Sequence, residues 1–436
     1  MIKSINKIFF LILVLVGMWL TPSCNIEELD NPNGASISGI VDGASKSELQ
    51  LLVTGTESLM RKEVGYYYDV CGIIGREYWF FTNSDPRYTG ELLGKNDAVL
   101  DNRGFYGTRP YAGRYKTVKN TNILMEATRN SKAILTPAQK SGYYGFAKTI
   151  QAYELLLALN LQYTNGIRID VSNENHLGDF VDYDGALMAI QDLLAEGAND
   201  LASAGDEFAF TLSSGFEGFD TPAAFAKFNH ALAARVALYQ GDMGAVNTHL
   251  LASFMDMSGD FDKGVYRPFS TAGGEVTNPV YRSPGQTEAL IAHPAWVADI
   301  EPNDDRINKV LPRDTLTLDN LTGTYDVAVY SGPSASIPII RNEELILMAA
   351  EANIGTSNPA AKDMINVIRT AHGLPDFTGT TDAELLDEVI KQRRYSLFAE
   401  GHRWVDMRRW GRLDQLPEDR ENDDVWEKFP RPGSEN

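Results

Sequence analysis

Apolar residues recur at helical spacing over much of the chain, and several of these segments open with strong helix-start signals. Thr136-Pro137-Ala138-Gln139 combines an N-cap threonine, a proline at the first helical position and a capping-box glutamine. A second capping box is Thr381-Asp382-Ala383-Glu384, and Thr221-Pro222 and Asn358-Pro359 repeat the cap-then-proline signal. Glycines at 373 and 401 mark two expected helix ends. The pattern predicts a mainly helical protein.

Several of these helices are predicted to form pairs. Residues 231–239 and 246–254 flank the turn Gln240-Gly241-Asp242, and residues 341–353 and 359–371 form a second candidate hairpin. Residues 183–201 add a further amphipathic helix. The pairs resemble tetratricopeptide hairpins, but the sequence has no strict repeat of about 34 residues. We therefore expect a scaffold of tetratricopeptide-like helical pairs rather than a regular solenoid.

Two stretches lack this helical pattern. Residues 65–113 are irregular and strongly aromatic, and residues 257–338 are rich in Gly, Pro, Thr, Ser and Asp. Long irregular stretches in a compact domain tend to be functional. Residues 315–318 and 325–329 alternate polar and apolar positions around 320–323, which predicts a small β-hairpin. The expected architecture is a helical scaffold with a loop-rich ligand-binding face and minor β-hairpin content.

The N terminus has the pattern of an export signal. Lys3 and Lys7 precede an apolar run over residues 8–20, and the small Ser23 stands directly before Cys24. The run is shorter than the roughly 18–20 residues that span a bilayer. Residues 1–23 are predicted to be a lipoprotein signal peptide, Cys24 the lipidated residue and residues 24–43 a tether. Residues 44–436 would form one domain with halves near 44–215 and 216–436.

Charge and cysteine content narrow the class of protein further. The chain carries 39 Lys and Arg against 59 Asp and Glu, a formal net charge of −20. Such a surface repels nucleic acid and anionic lipid, so no nucleic acid is expected as a partner and the only membrane contact would be the lipid anchor. With Cys24 lipidated, Cys71 has no disulfide partner and is predicted to be a small buried residue.

Catalytic sequence motifs are absent. The sequence has no nucleophile elbow, phosphate loop, paired Cys-x-x-Cys or zinc-binding His-Glu-x-x-His, and its six histidines do not fall at metal-ligand spacing. Asp304 and Asp305 leave a glycosidase pair open, but the turn chemistry around Asn303 favours a solvated turn. We expect no enzyme, no cofactor and no metal. A secreted glycoside hydrolase and a purely structural scaffold are the less favoured alternatives.

The most strongly patterned segment is residues 393–410, RRYSLFAEGHRWVDMRRW. Its alternating arginines and tryptophans are open to interpretation as a ligand groove. The favoured interpretation is structural, because arginine stacks on tryptophan and pairs bidentately with carboxylates such as Glu400 or Asp406. Such pairing would fix a helix end against the core.

This segment resembles the C-terminal signature of the SusD/RagB family of outer-membrane nutrient-binding lipoproteins. Other matching segments lie at 338–352 (PIIRNEELILMAAEA), 365–369 followed by Gly373-Leu374, Asp305-Arg306, and 114–122. The resemblance implies a mostly helical fold of tetratricopeptide-like pairs. It also implies a lipid-anchored position on the outer membrane facing the exterior, where Glu27-Glu28-Leu29-Asp30 resembles a surface-export signal. The implied function is capture of oligosaccharides, or peptides in some members, for delivery to a SusC-like TonB-dependent transporter.

The two irregular stretches hold the candidate binding residues. Flat rings cover the apolar faces of sugars while neighbouring polar groups bind hydroxyls. In the SusD/RagB family, which this sequence resembles, residues of an early loop and of a later loop form the binding face. The candidates are Tyr78, Trp79, Asn83, Asp85, Arg87 and Tyr88 in the early stretch, and Tyr281, Arg282 and Trp296 in the later one. Core packing is the alternative for Trp79, and more strongly for Phe80 and Phe81.

Overall fold

The computed structural model of the protein describes residues 37–435, so the predicted signal peptide, Cys24 and most of the predicted tether lie outside the described residues. The helices are α1 (Ile37–Val41), α2 (Lys46–Arg61), α3 (Val64–Ile74), α4 (Phe105–Arg129), α5 (Pro137–Gln162), α6 (Tyr183–Ala202), α7 (Pro222–Gln240), α8 (Met243–Ala252), α9 (Pro294–Asp299), α10 (Asn342–Asn353), α11 (Asn358–Ala371), α12 (Asp382–Ser396) and α13 (Arg403–Arg409). The strands are β1 (Tyr78–Phe81), β2 (Ile167–Arg168), β3 (Phe180–Val181), β4 (Gly264–Arg267), β5 (Ala289–Ala292), β6 (Val310–Leu318), β7 (Leu321–Val327) and β8 (Ile337–Arg341). The prediction of a mainly helical protein is confirmed.

Most of the predicted helix starts are present. The Thr136 and Thr381 capping boxes both form, and the Thr221 side chain caps α7. The cap predicted at Asn358 lies one residue earlier, at Ser357. The helix end predicted at Gly401 is wrong, because α12 already ends at Ser396. Gly401 instead has a φ of +80° in the connection to α13, where an added Cβ would lie 3.1 Å from the Tyr67 ring.

The predicted helical pairs are also present. Helices α7 and α8 are joined by the turn around Gly241, and α10 packs against α11. Each helix from α4 to α7 packs against the next one along the chain. The helical scaffold is therefore built from neighbouring pairs, as the start signals and turns predicted.

The expectation that residues 65–113 are irregular is wrong at both ends of that stretch. Helix α3 spans Val64–Ile74 and is buried on nearly every side, so it shows no amphipathic period. Cys71 in this helix is fully buried, as predicted, and burial raises the pKa of its thiol to about 12. Helix α4 begins at Phe105, and its early turns contain Pro110 and two glycines that obscure the helical pattern.

The strands form a small antiparallel sheet in the order β1-β5-β7-β6, flanked by two short two-stranded pairs. Trp79 of β1 lies opposite Ile291 of β5. The hairpin predicted around residues 320–323 exists as β6–β7, with its turn at Asp319 and Asn320. Both turn residues have a positive φ, which is the backbone geometry of a tight two-residue hairpin. The sheet places β1 next to the loop-rich face.

The arginine- and tryptophan-rich block has the structural role predicted for it. Arg393 donates to both oxygens of Asp406 at 2.8 and 3.1 Å, and Arg341 lies 2.8 Å from Glu400. The Arg408 guanidinium lies 4.7 Å from the centre of the Trp404 ring. All of these side chains are buried. The block therefore fixes α12 and α13 to the core.

The interpretation of Asp304 and Asp305 as a solvated turn is wrong for Asp304. Its carboxylate is buried and accepts from the Arg306 guanidinium at 2.8 and 2.7 Å. The Arg306 guanidinium also donates to the Ser396 hydroxyl at 2.9 Å. Asp305 is exposed and accepts from His372 at 2.7 Å. Asp304 is part of the buried ion-pair system because a bidentate guanidinium compensates its loss of water.

We expect Arg341→Met to destabilise the fold strongly. Arg341 is buried and pairs with both Glu400 and Glu343. Removing it leaves the buried Glu400 without its ion-pair partner and Glu343 with only His372, which costs on the order of 3–5 kcal/mol of unfolding free energy. Urea denaturation at neutral pH measures the loss.

The matched control is Arg412→Met. Arg412 pairs with Asp387, whose side chain is 62% exposed. Exposed pairs contribute about 0–1 kcal/mol, so this variant should unfold near the wild-type midpoint. Equal losses in the two variants would contradict a special role for the buried network.

Candidate functional site

A cavity of about 730 Å³ opens on the loop-rich face, and we call it the main cavity. One wall is the junction of α2 and α3 together with the end of β1, and the other is the loop of residues 268–288. Its lining residues are Arg61, Lys62, Glu63, Gly65, Tyr66, Asp69, Phe80, Ser84, Tyr88, Phe269, Glu275, Val276, Thr277, Pro279, Arg282 and Glu288. Both stretches predicted to form the binding face contribute to it.

The α2–α3 junction is shaped by two backbone features. Glu63, the N-cap of α3, has a left-handed φ of 56°, which turns the chain sharply between the helices. Gly65 allows the opposite loop to approach, because a Cβ at this position would lie only 2.6 Å from the Cβ of Pro279. The width of the main cavity depends on this close approach.

Aromatic rings form one side of the main cavity. The Tyr88 ring lies 4.6 Å from Phe80 and 5.5 Å from Phe105 between ring centres, and the Tyr66 ring lies 5.3 Å from Phe105. Phe80 and Tyr88 are nearly buried, whereas Tyr66 is half-buried. Arg109 donates to the Tyr66 hydroxyl at 2.7 Å and holds the ring in place. Tyr66 is therefore the most accessible ring of this group.

The opposite wall is held by Asn278 and carries Arg282. The Asn278 amide side chain donates to the Ala335 carbonyl at 2.8 Å and accepts from the Val280 backbone at 2.9 Å. The Arg282 guanidinium lies 4.8 Å from the centre of the Phe80 ring and donates to the Pro279 carbonyl at 2.6 Å. The Arg282 guanidinium is thus fixed against the aromatic wall, and the residue lines the main cavity, so its N–H donors are close to a ligand bound there.

Asp69 of α3 is the most unusual polar group of the main cavity. It is only 4% exposed, and its Oδ1 atom has no hydrogen-bond partner among the described residues. Burial raises the pKa of Asp69 to about 7, and the nearby charge of Arg282 opposes this rise. Burial raises the pKa values of the neighbouring Tyr78 and Tyr88, and the negative charge of Asp69 raises both further. The carboxyl group is available to accept a hydrogen bond, or to donate one when protonated.

A smaller cavity of about 380 Å³ adjoins the main cavity, and we call it the side cavity. The two cavities share Arg61, Phe269 and Glu275 as lining residues. The rest of the side cavity is mostly polar: Gln50, Thr54, Glu57, Thr211, Leu212, Ser213, Ser214, Pro268 and Ser270. It extends the surface available to a ligand beyond the aromatic wall.

Of the predicted site residues, Tyr88 and Arg282 line the main cavity, and Tyr281 lies half-buried beside Arg282. Asn83 is exposed next to the lining residue Ser84. Asp85 and Arg87 pair with each other at 2.6 Å, and Arg87 stacks over Phe105. They position the early segment from outside the cavity lining.

The three remaining candidates are core residues, which corrects the sequence-based assignment. Tyr78 is fully buried, with its hydroxyl donating to the Tyr68 carbonyl at 2.9 Å. Trp79 is nearly buried and donates to Asp419 at 2.9 Å. Trp296 is 0% exposed and packs 4.4 Å from Phe398 between ring centres. The four consecutive aromatic residues of β1 form a strand that is buried on both faces, so Trp79 offers no free ring to a ligand. Trp296 on α9 offers none either, because it is fully buried.

Sequence reasoning missed Tyr66 and Asp69, because the helix that carries both is buried on nearly every side and shows no amphipathic period. One signal could have found Asp69. It is the single charged residue in the otherwise apolar and aromatic segment 64–74. A lone acid in such a buried helix is expected to have a functional or structural partner.

The arrangement is suited to binding rather than to catalysis. The main cavity combines ring faces with a fixed guanidinium and an unsatisfied carboxyl, which together can hold a polyhydroxylated ligand. Within residues 37–435, no group of three or more His, Cys, Asp and Glu side chains is placed to hold a metal ion. None of the helices in that range is long and apolar enough to cross a membrane.

The C-terminal part of the chain matches a known protein family. The model of the SusD family matches residues 319–432, a region that contains the arginine- and tryptophan-rich block. Members of this family are non-catalytic binding proteins, and the match agrees with the expectation that this chain is a binding protein. A search of curated proteins gave no significant match.

Solved structures share the fold over most of the chain. A SusD superfamily protein from Bacteroides vulgatus matches with a TM-score of 0.69 and 16% identity, covering 90% of this chain and 96% of that one. A laminarin-binding SusD-like protein gives a TM-score of 0.66 at 16% identity, covering 89% and 96%. Surface glycan-binding protein A from Bacteroides thetaiotaomicron, in complex with laminarihexaose, gives 0.65 at 14% identity, covering 89% and 97%. The likeness establishes the fold.

We expect Asp69→Asn to become more stable relative to wild type as the pH rises. The raised pKa of Asp69 means that the unfolded chain, with a carboxyl pKa of about 3.9, loses its proton first. Wild-type stability therefore falls between about pH 4 and pH 7, whereas asparagine has no proton to lose. The stability difference should grow by about 2–4 kcal/mol over this interval, measured by urea denaturation at several pH values.

Asp85→Asn provides a control with the opposite sign. The hydrogen bond from Arg87 lowers the pKa of Asp85, so its charged form stabilises the fold. This variant should lose stability at neutral pH and regain it relative to wild type as the pH falls through that lowered pKa. A pH-independent difference between Asp69→Asn and wild type would show that Asp69 titrates normally.

Proposed function

We propose that this chain, a SusD/RagB family protein, captures oligosaccharides at the cell surface and binds them in the main cavity. The observation that carries the proposal is the composition of that cavity. The half-buried Tyr66 ring lies in the same cavity as the fixed Arg282 guanidinium and the Asp69 carboxyl, whose Oδ1 atom has no hydrogen-bond partner among the described residues. Sugars need both an apolar surface and hydrogen-bonding groups. Two similar structures, a laminarin-binding SusD-like protein and a surface glycan-binding protein in complex with laminarihexaose, support oligosaccharides as the ligand class.

We further infer that the protein is anchored through Cys24 to the outer membrane, faces the exterior, and delivers its ligand to a SusC-like TonB-dependent transporter. The support is the lipoprotein-type N terminus and the family membership of the chain. A lid on a transporter requires a permanent interface, which buries on the order of 2,000 Å² or more. The lipid would supply the attachment to the membrane.

We expect Tyr66→Ala to weaken oligosaccharide binding by about 3–10-fold, because a ring contact contributes about 0.5–1.5 kcal/mol beyond area burial. Isothermal titration calorimetry against a panel of glucan and xylan oligosaccharides, including laminarihexaose, measures the effect. Tyr66 is half-buried, so the thermal midpoint should change little.

The matched control is Tyr144→Ala, since Tyr144 is also half-buried but lies on α5, outside the lining of the main and side cavities. It should bind like wild type. Wild-type protein that binds none of the glycans, or binds peptides instead when these are included in the panel, would overturn the assignment of the ligand.

We expect Cys24→Ala to release the protein from the membrane fraction or to stop its maturation, because no thiol remains for the lipid. The control is Cys71→Ala, which removes the other cysteine, a buried one, and should leave the protein in the membrane.

Purification of the wild-type protein in mild detergent should recover a large β-barrel with it. Unchanged membrane association of Cys24→Ala, or recovery of the lipoprotein alone, would contradict these proposals.

A further inference from the structure

We infer that the ion pair between Arg61 and Glu275 is an openable partition that sets the length of ligand the protein accepts. The inference rests on the proposed function, because it concerns oligosaccharides in the main cavity. With the pair closed, a short ligand occupies the main cavity alone. With the pair open, a longer ligand continues into the side cavity.

The position of the pair is the first observation. Arg61 is the last residue of α2, and Glu275 lies on the opposite loop, with their Nη1 and Oε2 atoms 2.9 Å apart. Both residues line both cavities, together with Phe269. The pair therefore stands where the main cavity of about 730 Å³ meets the side cavity of about 380 Å³.

The chemistry of the side cavity is the second observation. Its amide and hydroxyl groups are suited to sugar hydroxyls, and the Ser213 hydroxyl is buried with no hydrogen-bond partner in the described part of the chain. The base of this cavity is rigid. Gln50 donates to the Thr211 carbonyl at 2.9 Å and accepts from its backbone N–H at 2.8 Å, and Glu57 accepts from the Ser213 backbone at 3.1 Å.

The loop that carries Glu275 is the third observation. All of residues 271–277 are exposed, and an added Cβ at Gly273 or Gly274 would meet no atom within 4 Å. The ends of this loop are fixed, because Arg267 donates to Tyr68 and Tyr153 at 2.7 Å and Asn278 donates to the Pro333 and Ala335 carbonyls at 2.7 and 2.8 Å. The tip can therefore move while both of its attachments stay in place.

Few contacts hold the tip closed. Across the cavity mouth, Arg61 binds Glu275, and within the loop the Ser270 backbone donates to the Val276 carbonyl at 3.0 Å. The Glu275 side chain is 45% exposed. Ion pairs in contact with water are weak, so a ligand that gains contacts in the side cavity can displace this one.

The test compares the affinities of a disaccharide and a hexasaccharide of one series, starting with laminaribiose and laminarihexaose and continuing with the malto-, cello- and xylo-series. We expect Glu275→Gln to raise the ratio of hexasaccharide to disaccharide affinity about two- to fivefold, because the longer ligand no longer has to break the pair. The double variant Arg61→Glu with Glu275→Arg restores a pair of opposite orientation and should restore the wild-type ratio. Arg412→Gln, which breaks a distant exposed pair, should leave the ratio unchanged.

Each alternative result overturns the inference. An equal change for both lengths would mean that Glu275 contacts the ligand directly, and an unchanged or lower ratio would mean that the pair is no obstacle to the longer ligand. A wild-type protein that binds no oligosaccharide of any series would overturn the proposed function itself.

A measurement without ligand separates these two failures. Hydrogen exchange of the Ser270 backbone amide should be faster in Glu275→Gln than in wild type, and added salt should accelerate it in wild type but not in the variant. Identical exchange in both proteins would show that the ion pair does not hold the loop, whatever the ligand proves to be.

Discussion

The fold depends on the requirement that buried charges be paired. Many arginines in the C-terminal half are buried. Each must pair with a carboxylate or several carbonyl oxygens, because burial removes its guanidinium from bulk water. Arg341, Arg393 and Arg235 meet this requirement with Glu400, Asp406 and Glu344. Helices that are far apart in sequence are thereby held in one arrangement. The network also influences how the aromatic side chains pack, since guanidinium groups such as that of Arg408 stack on rings such as Trp404.

This network reaches the binding face through a few connections. Arg408 donates to the Asn160 carbonyl at 2.8 Å, and the Ala399 backbone donates to Glu77, the residue before β1. The wall that includes α3 and β1 is therefore continuous with the ion-paired core. In the opposite wall, the Asn278 side chain and backbone are bound to the Ala335 and Pro333 carbonyls, whereas the tip at residues 271–277 is exposed. One wall is therefore continuous with the core, and the other carries an exposed loop tip that few contacts hold in place.

The sequence predicted local features better than burial. Capping boxes at Thr136 and Thr381 are determined by neighbours within a few residues, so they could be identified without the structure. The sequence also predicts the β6–β7 hairpin, but its turn lies at Asp319 and Asn320 rather than over residues 320–323. The burial of Trp79 and Trp296 could not be identified, because a ring near polar residues in the sequence looks the same in an open loop as in a buried strand or a buried short helix. The accessible site residue Tyr66 was missed because the helix that carries it is buried on nearly every side and shows no period. Which aromatic face stays open is decided by contacts with residues distant in sequence.

The close approach of Gly65 to Pro279 has an evolutionary consequence. The spacing of the two cavity walls is set by the absence of a single methyl group at position 65. In a descendant of this chain that acquired a side chain there, the later loop would have to move outward before any ligand-contacting residue changed. One substitution at a position that need not touch the ligand would then change the width of the main cavity. Proteins that share this fold can change the size of the cavity in this way without altering the other residues that line it.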